Sequence, residues 1–479
     1  MSHAAQAQAL PRGLPEANGI PSAAVREFLK AVNSAELGLH SFMLLRHGQV
    51  VAEGWWSPYG PERPHMMFSL SKSFTSTAVG LAAAEGLLSV DDPVVSFFPD
   101  KVVRNDAKLQ AMRVRHLLSM GSGHGAESLV GDGRGKTDDW VQHILDQPVV
   151  YEPGTRFVYN SGATYMLSAI VQRVTGQTVH EYLMPRLFQP LGIEGSAWET
   201  CPRGISTGGW GLWLKTEDIA KFGQLYLQRG IWKGERLIPG TWIEQATSAQ
   251  IANSSVNPDW SQGYGYQFWR CLHGAYRGDG AFGQFCVVLP EQDAVVAITA
   301  GSRQLQGILD QVWAHLLPAM GNQSLSADAA AYEELTAELH SLSFPPILSE
   351  ATSDVVGHVS GRRYSLKDND RGIRTVSWEW EADVCVFTLQ IGERVILVRL
   401  GVGQWVEGLV HFEGEPLRAA ASCGWSAPDT FVMSMRLVET PFSDTFTCRF
   451  SGDGVRIQWE FTRFGAQSTL ELEGMRVSD

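Results

Sequence analysis

The pattern of hydrophobic residues changes character once along this chain, and that change constrains the fold more than any single motif. From about residue 20 to 320, helical periods, Gly-rich turns and a few strands are mixed, whereas from about 355 to the end nearly every segment alternates with period two. The second pattern runs through RRYSL, IRTVSWEWE, VCVFTLQI, RVILVRLG, QWVEGLVHF, LRAAASCGW, TFVMSMRLV, TFTCRFSG, VRIQWEFT and STLELEG, roughly ten short strands separated by Gly, Asp, Asn and Pro turns. Such regular spacing predicts an antiparallel barrel or sandwich. A length of 479 residues suits two or three domains. The expected division is a tail over 1–19, a mixed domain over 20–322, a helical linker over 323–350 and an all-β domain over 351–479.

In the first part, PSAAVREFLKAV reads as a helix, and SFMLLR, a turn at His47 and Gly48, and VVAEGWW read as a hairpin. Helices follow, one from Ser69 to about Glu85 with Gly86 as its stop and another in TEDIAKFGQLYLQRG with Thr216 as its cap. Near residue 283 strands return as GQFCVVLP, a turn at Glu291 to Asp293, and AVVAITAG. A sheet that opens and closes the domain around a helical insertion is expected.

Hydrophobic residues at 44% and aromatic residues at 10% are ample for packed cores. A net charge of -13 without a basic cluster argues against nucleic acid and against anionic membranes. The start lacks a basic n-region and an apolar h-region, and no later stretch has the length to span a bilayer, so a cytoplasmic protein, or one whose signal segment has been removed, is expected. Six cysteines, at 201, 271, 286, 385, 423 and 448, lack metal-ligand spacing and several sit in apolar alternating runs, so neither a metal nor a disulfide framework is indicated. The expected partner is a small molecule, and the all-β part is expected to serve as a structural lid or as the contact of a homodimer.

The chemistry-bearing candidate lies in MMFSLSKSFTSTAVGLAAAEGLLSV, where Ser69 stands three positions before Lys72 at the mouth of an apolar helix. Residues three apart on a helix are neighbours, so the amine can reach the serine oxygen, as an activated nucleophile requires. Farther along, YEPGTRFVYNSGATYMLSAI carries Tyr159, Asn160 and Ser161 ahead of a helix. A phenol folded against Ser69 and Lys72 can lose its proton to form a cation-stabilised phenolate and serve as general base, then as acid for the leaving group.

These segments, followed by GGWGLWLKTEDIAKFGQLYLQRG and GAFGQFCVVLPEQDAVVAITAG, occur in the order and at the approximate distances of the class C beta-lactamase family of penicillin-recognising serine hydrolases, which residues 25 to 320 resemble. The resemblance implies an α/β (α+β) fold, an antiparallel sheet flanked by helices with a helical subdomain and a site between them. It implies Ser69 as acylated nucleophile, Lys72 as its partner and Tyr159 as the start of the tyrosine motif, with no metal or organic cofactor.

Two departures matter. The family's Tyr-x-Asn has Ser161 in third place, with asparagine displaced to Asn160, a substitution that resembles the nylon-oligomer hydrolases and related esterase-like members. The closing-strand motif, Lys-Thr-Gly or His-x-Gly, is replaced by HGAYRGDGAFGQF, in which either Gly278, Asp279 and Gly280 or Ala275, Tyr276 and Arg277 fill the motif positions. Asp279 would repel a substrate carboxylate, and only an Arg277 pointing into the cleft would restore positive charge. The Ser69 N–H and one near Ala281 would form the oxyanion hole. The expectation is a hydrolase of esters or small amides acting through an acyl-enzyme. The alternatives are a beta-lactamase or D-amino-acid-specific peptidase, and a penicillin-binding or sensor protein without turnover.

Other residues carry less. His116 and His124 lie near Ser119 and Ser122 without a nucleophile-elbow context, Asp91 and Asp92 read as a turn before Pro93, and Trp55, Trp56, Trp210 and Trp213 could shape an apolar pocket. In the all-β part, Trp378, Trp380, Trp405, Trp425 and Trp459 read as core in preference to a ligand cavity.

Overall fold

A computed structural model describes residues 9–129, 137–349, 353–411, 416–463 and 466–477. The chain forms two compact units, Met1–Trp55 with Pro64–Ser341, and Trp56–Arg63 with Leu342–Asp479.

The first unit is built on a six-stranded antiparallel sheet in the order Gln49–Trp55, Leu39–Arg46, Ala294–Ala300, Gln284–Leu289, Tyr276–Gly280, Trp269–Arg270. Strands from the two ends of the unit meet here, with Phe42 opposite Ile298 and Leu44 opposite Val296. The strands Leu39–Arg46 and Ala294–Ala300 are buried at every position, because helices cover both faces. This is why they read as continuous apolar runs without alternation. Helix Ser22–Ser34 brings Phe28 to 4.9 Å from Phe42. Helix Thr216–Leu227 lies close against the sheet, where a Cβ at Gly223 would stand 2.5 Å from Val295. The hairpin turn falls at His47 and Gly48, both with positive φ, as expected.

A second layer holds the helix Ser71–Ala84, which is buried from Ser71 to Ala82. Its sequence has no charge but Lys72, and such a helix belongs inside. Four of its hydroxyls donate to carbonyls, among them Ser73 to that of Gln267 at 2.8 Å and Thr75 to that of Gly208 at 2.9 Å, while the buried Ser76 hydroxyl has no partner among the described residues. Phe74 stacks on Phe222 at 3.9 Å, tying this helix to Thr216–Leu227. Two boundaries differ from expectation. Ser69 sits in a preceding 3-10 turn, Phe68–Leu70, and the α-helix starts at Ser71. Thr216 is the first helical residue and not the cap; the Lys215 N–H is held by Asp218, and the Thr216 hydroxyl donates to Ser41 at 2.7 Å. Helix Ala329–Ser341 packs on this unit through buried Leu335 and through Arg26, which pairs with Glu338 at 3.0 Å.

In the second unit all ten expected strands form, and the choice between sandwich and barrel resolves to a barrel. Nine of them close, because Arg394–Val402 pairs in parallel with Leu417–Ala427 at Gly401 and Val402, while Arg363–Leu366 joins Ala466–Arg476 to Ile373–Glu381. Closure removes the exposed strand edges. Inward-facing Trp378, Phe387, Met433, Trp425, Phe446 and Trp459 fill the core. The cavity left beside Phe387 and Phe446 is about 10 Å³, room for at most about one water, so these tryptophans are core. The segment Trp56–Arg63 belongs to this unit: the Ser57 N–H donates to the Leu342 carbonyl at 3.0 Å, and the Tyr59 ring meets that of Phe344 edge-on.

Among the described residues no group of side chains is arranged to hold a metal ion, and no helix is long and apolar enough to cross a membrane.

Candidate active site

The 3-10 turn that carries Ser69 is forced by its neighbours. Phe68 has φ +47°, a conformation costly for a large side chain, and its carbonyl is held by the Ser71 hydroxyl at 2.6 Å. The turn aims Ser69 Oγ at Lys72 Nζ, 3.0 Å away. Lys72 is 1% exposed and also donates to Ser161 Oγ at 3.1 Å and to the Gly209 carbonyl at 2.7 Å. Three acceptors match the three donors of an ammonium. The ammonium lies 4.9 Å over the centroid of the Tyr159 ring.

Tyr159 is boxed by aromatic side chains, stacked on Trp269 at 5.6 Å and edge-on to Tyr264. Burial holds its phenol well above the ordinary tyrosine range, the charge of Asp279 adds to this, and a hydrogen bond with Ser69 opposes it in part. Burial thus works against the phenolate expected from the sequence.

Ser161 opens helix Ser161–Thr175, and Asn160 is its N-cap. The Asn160 Oδ1 accepts from Gly162 N at 2.9 Å, Ser128 N at 3.1 Å and Ser128 Oγ at 2.9 Å, and the residue is wholly buried, so it serves the helix start. Glu127 was not singled out by sequence reasoning. Its carboxylate accepts from Ser161 N at 2.5 Å through Oε2 and from Gly162 N at 2.9 Å through Oε1, clamping the residue that holds Lys72. Only its setting in the loop GSGHGAES could have hinted at it, and that composition specifies no contact. The Gly209 carbonyl was likewise invisible, being backbone.

On strand Tyr276–Gly280 alternate residues face opposite ways. Gly278 and Gly280 face the nucleophile segment: a Cβ at Gly278 would fall 2.4 Å from Leu70 and 2.6 Å from Ser73 Oγ, and one at Gly280 would fall 2.2 Å from the Met67 carbonyl. Both glycines are steric requirements of this approach. Arg277 and Asp279 share the other face. Arg277 is 0% exposed; its Nε and Nη2 both lie 2.9 Å from Asp279 Oδ2, and its guanidinium stacks over Trp260 at 4.1 Å. Arg277 thus turns inward, and its charge is spent on Asp279. Ala281 follows in the turn, its carbonyl held by Gln284 Nε2 at 3.1 Å.

The remaining candidates are structural. His116 Nδ1 accepts from Arg113 N at 3.1 Å at a helix start, Ser119 donates to the Arg115 carbonyl, and Asp92 accepts from Ser89 N in the turn. Ser122 and His124 form a buried pair at 3.0 Å.

Residues 12–310 match the model of the family described as Beta-lactamase. Among curated relatives, the 6-aminohexanoate-dimer hydrolase of Paenarthrobacter ureafaciens is 24% identical over 277 residues, covering 53% of this chain and 71% of that protein. The lovastatin esterase of Penicillium rubens is 26% identical over 151 residues, 27% of this chain and 38% of that one. Among solved structures, the octameric penicillin-binding protein homologue from Pyrococcus abyssi is similar with a TM-score of 0.52 and 18% identity, over 94% of this chain and 99% of that one, a likeness of fold.

Proposed function

We propose, on the premise that this chain belongs to the beta-lactamase family and is a serine hydrolase, that it cleaves small carboxylic esters and amides through an acyl-enzyme on Ser69. The observation that carries the reading is Lys72 Nζ at 3.0 Å from Ser69 Oγ with Ser161 and Gly209 filling its other donor directions. The names of the relatives, a hydrolase of a short amide and an esterase, point the same way.

In this reading the Ser69 hydroxyl donates to the Tyr159 oxygen. As Oγ bonds to the substrate carbonyl carbon, its proton passes to Tyr159, which hands its own proton to the leaving oxygen or nitrogen as that bond to carbon breaks. No phenolate need form, which suits a phenol whose burial disfavours the anion. Lys72, as a cation, stabilises the charge developing on Oγ. The N–H groups of Ser69 and Ala281 serve the carbonyl oxygen. Water then takes the leaving group's place and the proton path runs in reverse.

Incubation with p-nitrophenyl butyrate, nitrocefin and a D-alanine p-nitroanilide, beside a Ser69→Ala control, tests this. Ester turnover lost in the control is expected. Cleavage of nitrocefin alone would move the reading to a beta-lactamase, and stable labelling by a fluorescent penicillin without turnover would move it to a binding protein.

A further inference from the structure

The reacting groups stand on three separate segments: helix Ser71–Ala84 carries Lys72, helix Ser161–Thr175 opens on Ser161, and Tyr159 lies in the stretch before that helix. One buried residue ties all three together. Gln267 is 2% exposed and lies two residues before Trp269, on which Tyr159 stacks. Its backbone carbonyl accepts from the Ser73 hydroxyl at 2.8 Å, one residue after Lys72. Its Oε1 accepts from the Thr164 hydroxyl at 2.7 Å, one helical turn after Ser161. Its Nε2 donates to the carbonyls of Leu117 at 3.1 Å and Leu118 at 2.7 Å, and its backbone N–H donates to that of Leu118 at 3.1 Å. These carbonyls end helix Val114–Leu118. Two residues farther on, Met120 holds the backbone on both sides of Tyr159: Val158 N donates to its carbonyl at 2.9 Å, and Asn160 N to its Sδ at 3.3 Å.

Gln267 makes these contacts from φ +65°, a conformation that a residue other than glycine keeps only where its surroundings over-determine it. The side chain is equally constrained. Only an amide offers two N–H donors beside an acceptor at one uncharged end; a glutamate would set an oxygen against the leucine carbonyls, and an asparagine is one methylene shorter. We propose that Gln267 is a positioning residue that fixes Tyr159 and Ser161 relative to Ser69 and Lys72, so that the serine proton reaches Tyr159, and the Tyr159 proton the leaving group, without rearrangement. This rests on the acyl-enzyme reading above.

Thr164→Val removes one hydrogen bond of the amide at nearly constant shape, Thr164→Ser keeps it, and Gln267→Met removes all three. Each variant is assayed with p-nitrophenyl butyrate and ethyl butyrate, which share one acyl-enzyme. The nitrophenolate leaves without a proton, whereas ethoxide needs the one that Tyr159 delivers. For the ethyl ester kcat/KM should fall about tenfold in Thr164→Val and about 100-fold in Gln267→Met, the loss with the p-nitrophenyl ester should be at least about threefold smaller, and Thr164→Ser should stay within about twofold of wild type. A role in folding alone lowers the amount of active protein and so lowers both esters in proportion. Equal losses with the two esters, no loss in either variant, or a Thr164→Ser protein as impaired as Thr164→Val overturns the proposal; should Gln267→Met fail to fold, the Thr164 pair decides. The Ser69→Ala control separates the two readings. Ester turnover that persists in it sinks the acyl-enzyme reading, whereas turnover lost in it, with unselective losses in the other variants, sinks this proposal alone.

Discussion

The same three residue types meet twice in this molecule, with opposite polarity. In the first unit Asp279, Arg277 and Trp269 come together; in the barrel Asp444, Arg463 and Trp459 do. In the barrel the acid is the buried partner at 0% exposure and the arginine, at 34%, meets water. In the first unit the arginine is buried at 0% and the acid, at 8%, is the partner nearer the surface. The barrel trio anchors the inner end of a sheet whose core is apolar and filled. The other trio adjoins the site through Trp269, whose ring stacks on that of Tyr159 at 5.6 Å. What differs between the two pairs is which member is fully buried.

The sharpest contrast concerns reactivity. Lys72→Met should lower kcat by about 10³-fold or more, since it removes the cation that contacts Oγ, whereas Arg463→Ala should leave turnover at the wild-type level. Equal losses in the two variants would erase the distinction drawn here. Next in size is stability. Arg277→Ala strands a buried carboxylate and should cost about 3–5 kcal/mol, against about 1–3 kcal/mol for Arg463→Ala, whose lost partner water can replace in part; denaturant titrations of the full chain measure both. Glu127→Gln keeps the shape of the clamp but loses one acceptor and the charge. It should cut kcat about 10–100-fold with KM nearly unchanged, and rescue by Glu127→Asp would be incomplete because the shorter side chain cannot span both N–H groups.

The smallest effect is on the pH dependence of stability. Burial raises the carboxyls of both Asp279 and Asp444 above the ordinary range, against the pull of their arginines. A carboxyl raised in the folded state binds a proton that the unfolded chain has released. Its contribution is therefore fully present below the unfolded value of about 3.9 and is lost as pH rises through the folded value. Asp444→Asn should flatten the decline in unfolding midpoint as pH rises above 4, and an unchanged slope would show that Arg463 already compensates the burial.

Much of this was legible in the residues. Ten strands could be read because each alternates between a filled interior and solvent, and Ser69 with Lys72 because helical spacing places them together. Tyr159 followed from its place before a helix. The chemistry held by backbone was not legible: the Gly209 carbonyl on Lys72 and the N–H groups under Glu127 depend on chain crossings that no local pattern encodes. The direction of Arg277 was also hidden. Alternation places Arg277 and Asp279 on one face of their strand, but only the packing of Trp260 and Trp269 decides which of the two is covered. The burial of Tyr159 was hidden for the same reason, since its aromatic box is assembled from residues about a hundred positions away in sequence.

The most direct measurement is peptide mapping by mass spectrometry after acid quenching of the protein during turnover of p-nitrophenyl butyrate. A butyryl group on the peptide carrying Ser69, absent in Ser69→Ala together with turnover, is the expected result. Turnover that persists in Ser69→Ala, or an acyl group found on another residue such as Ser122, would contradict the assignment of Ser69 as nucleophile.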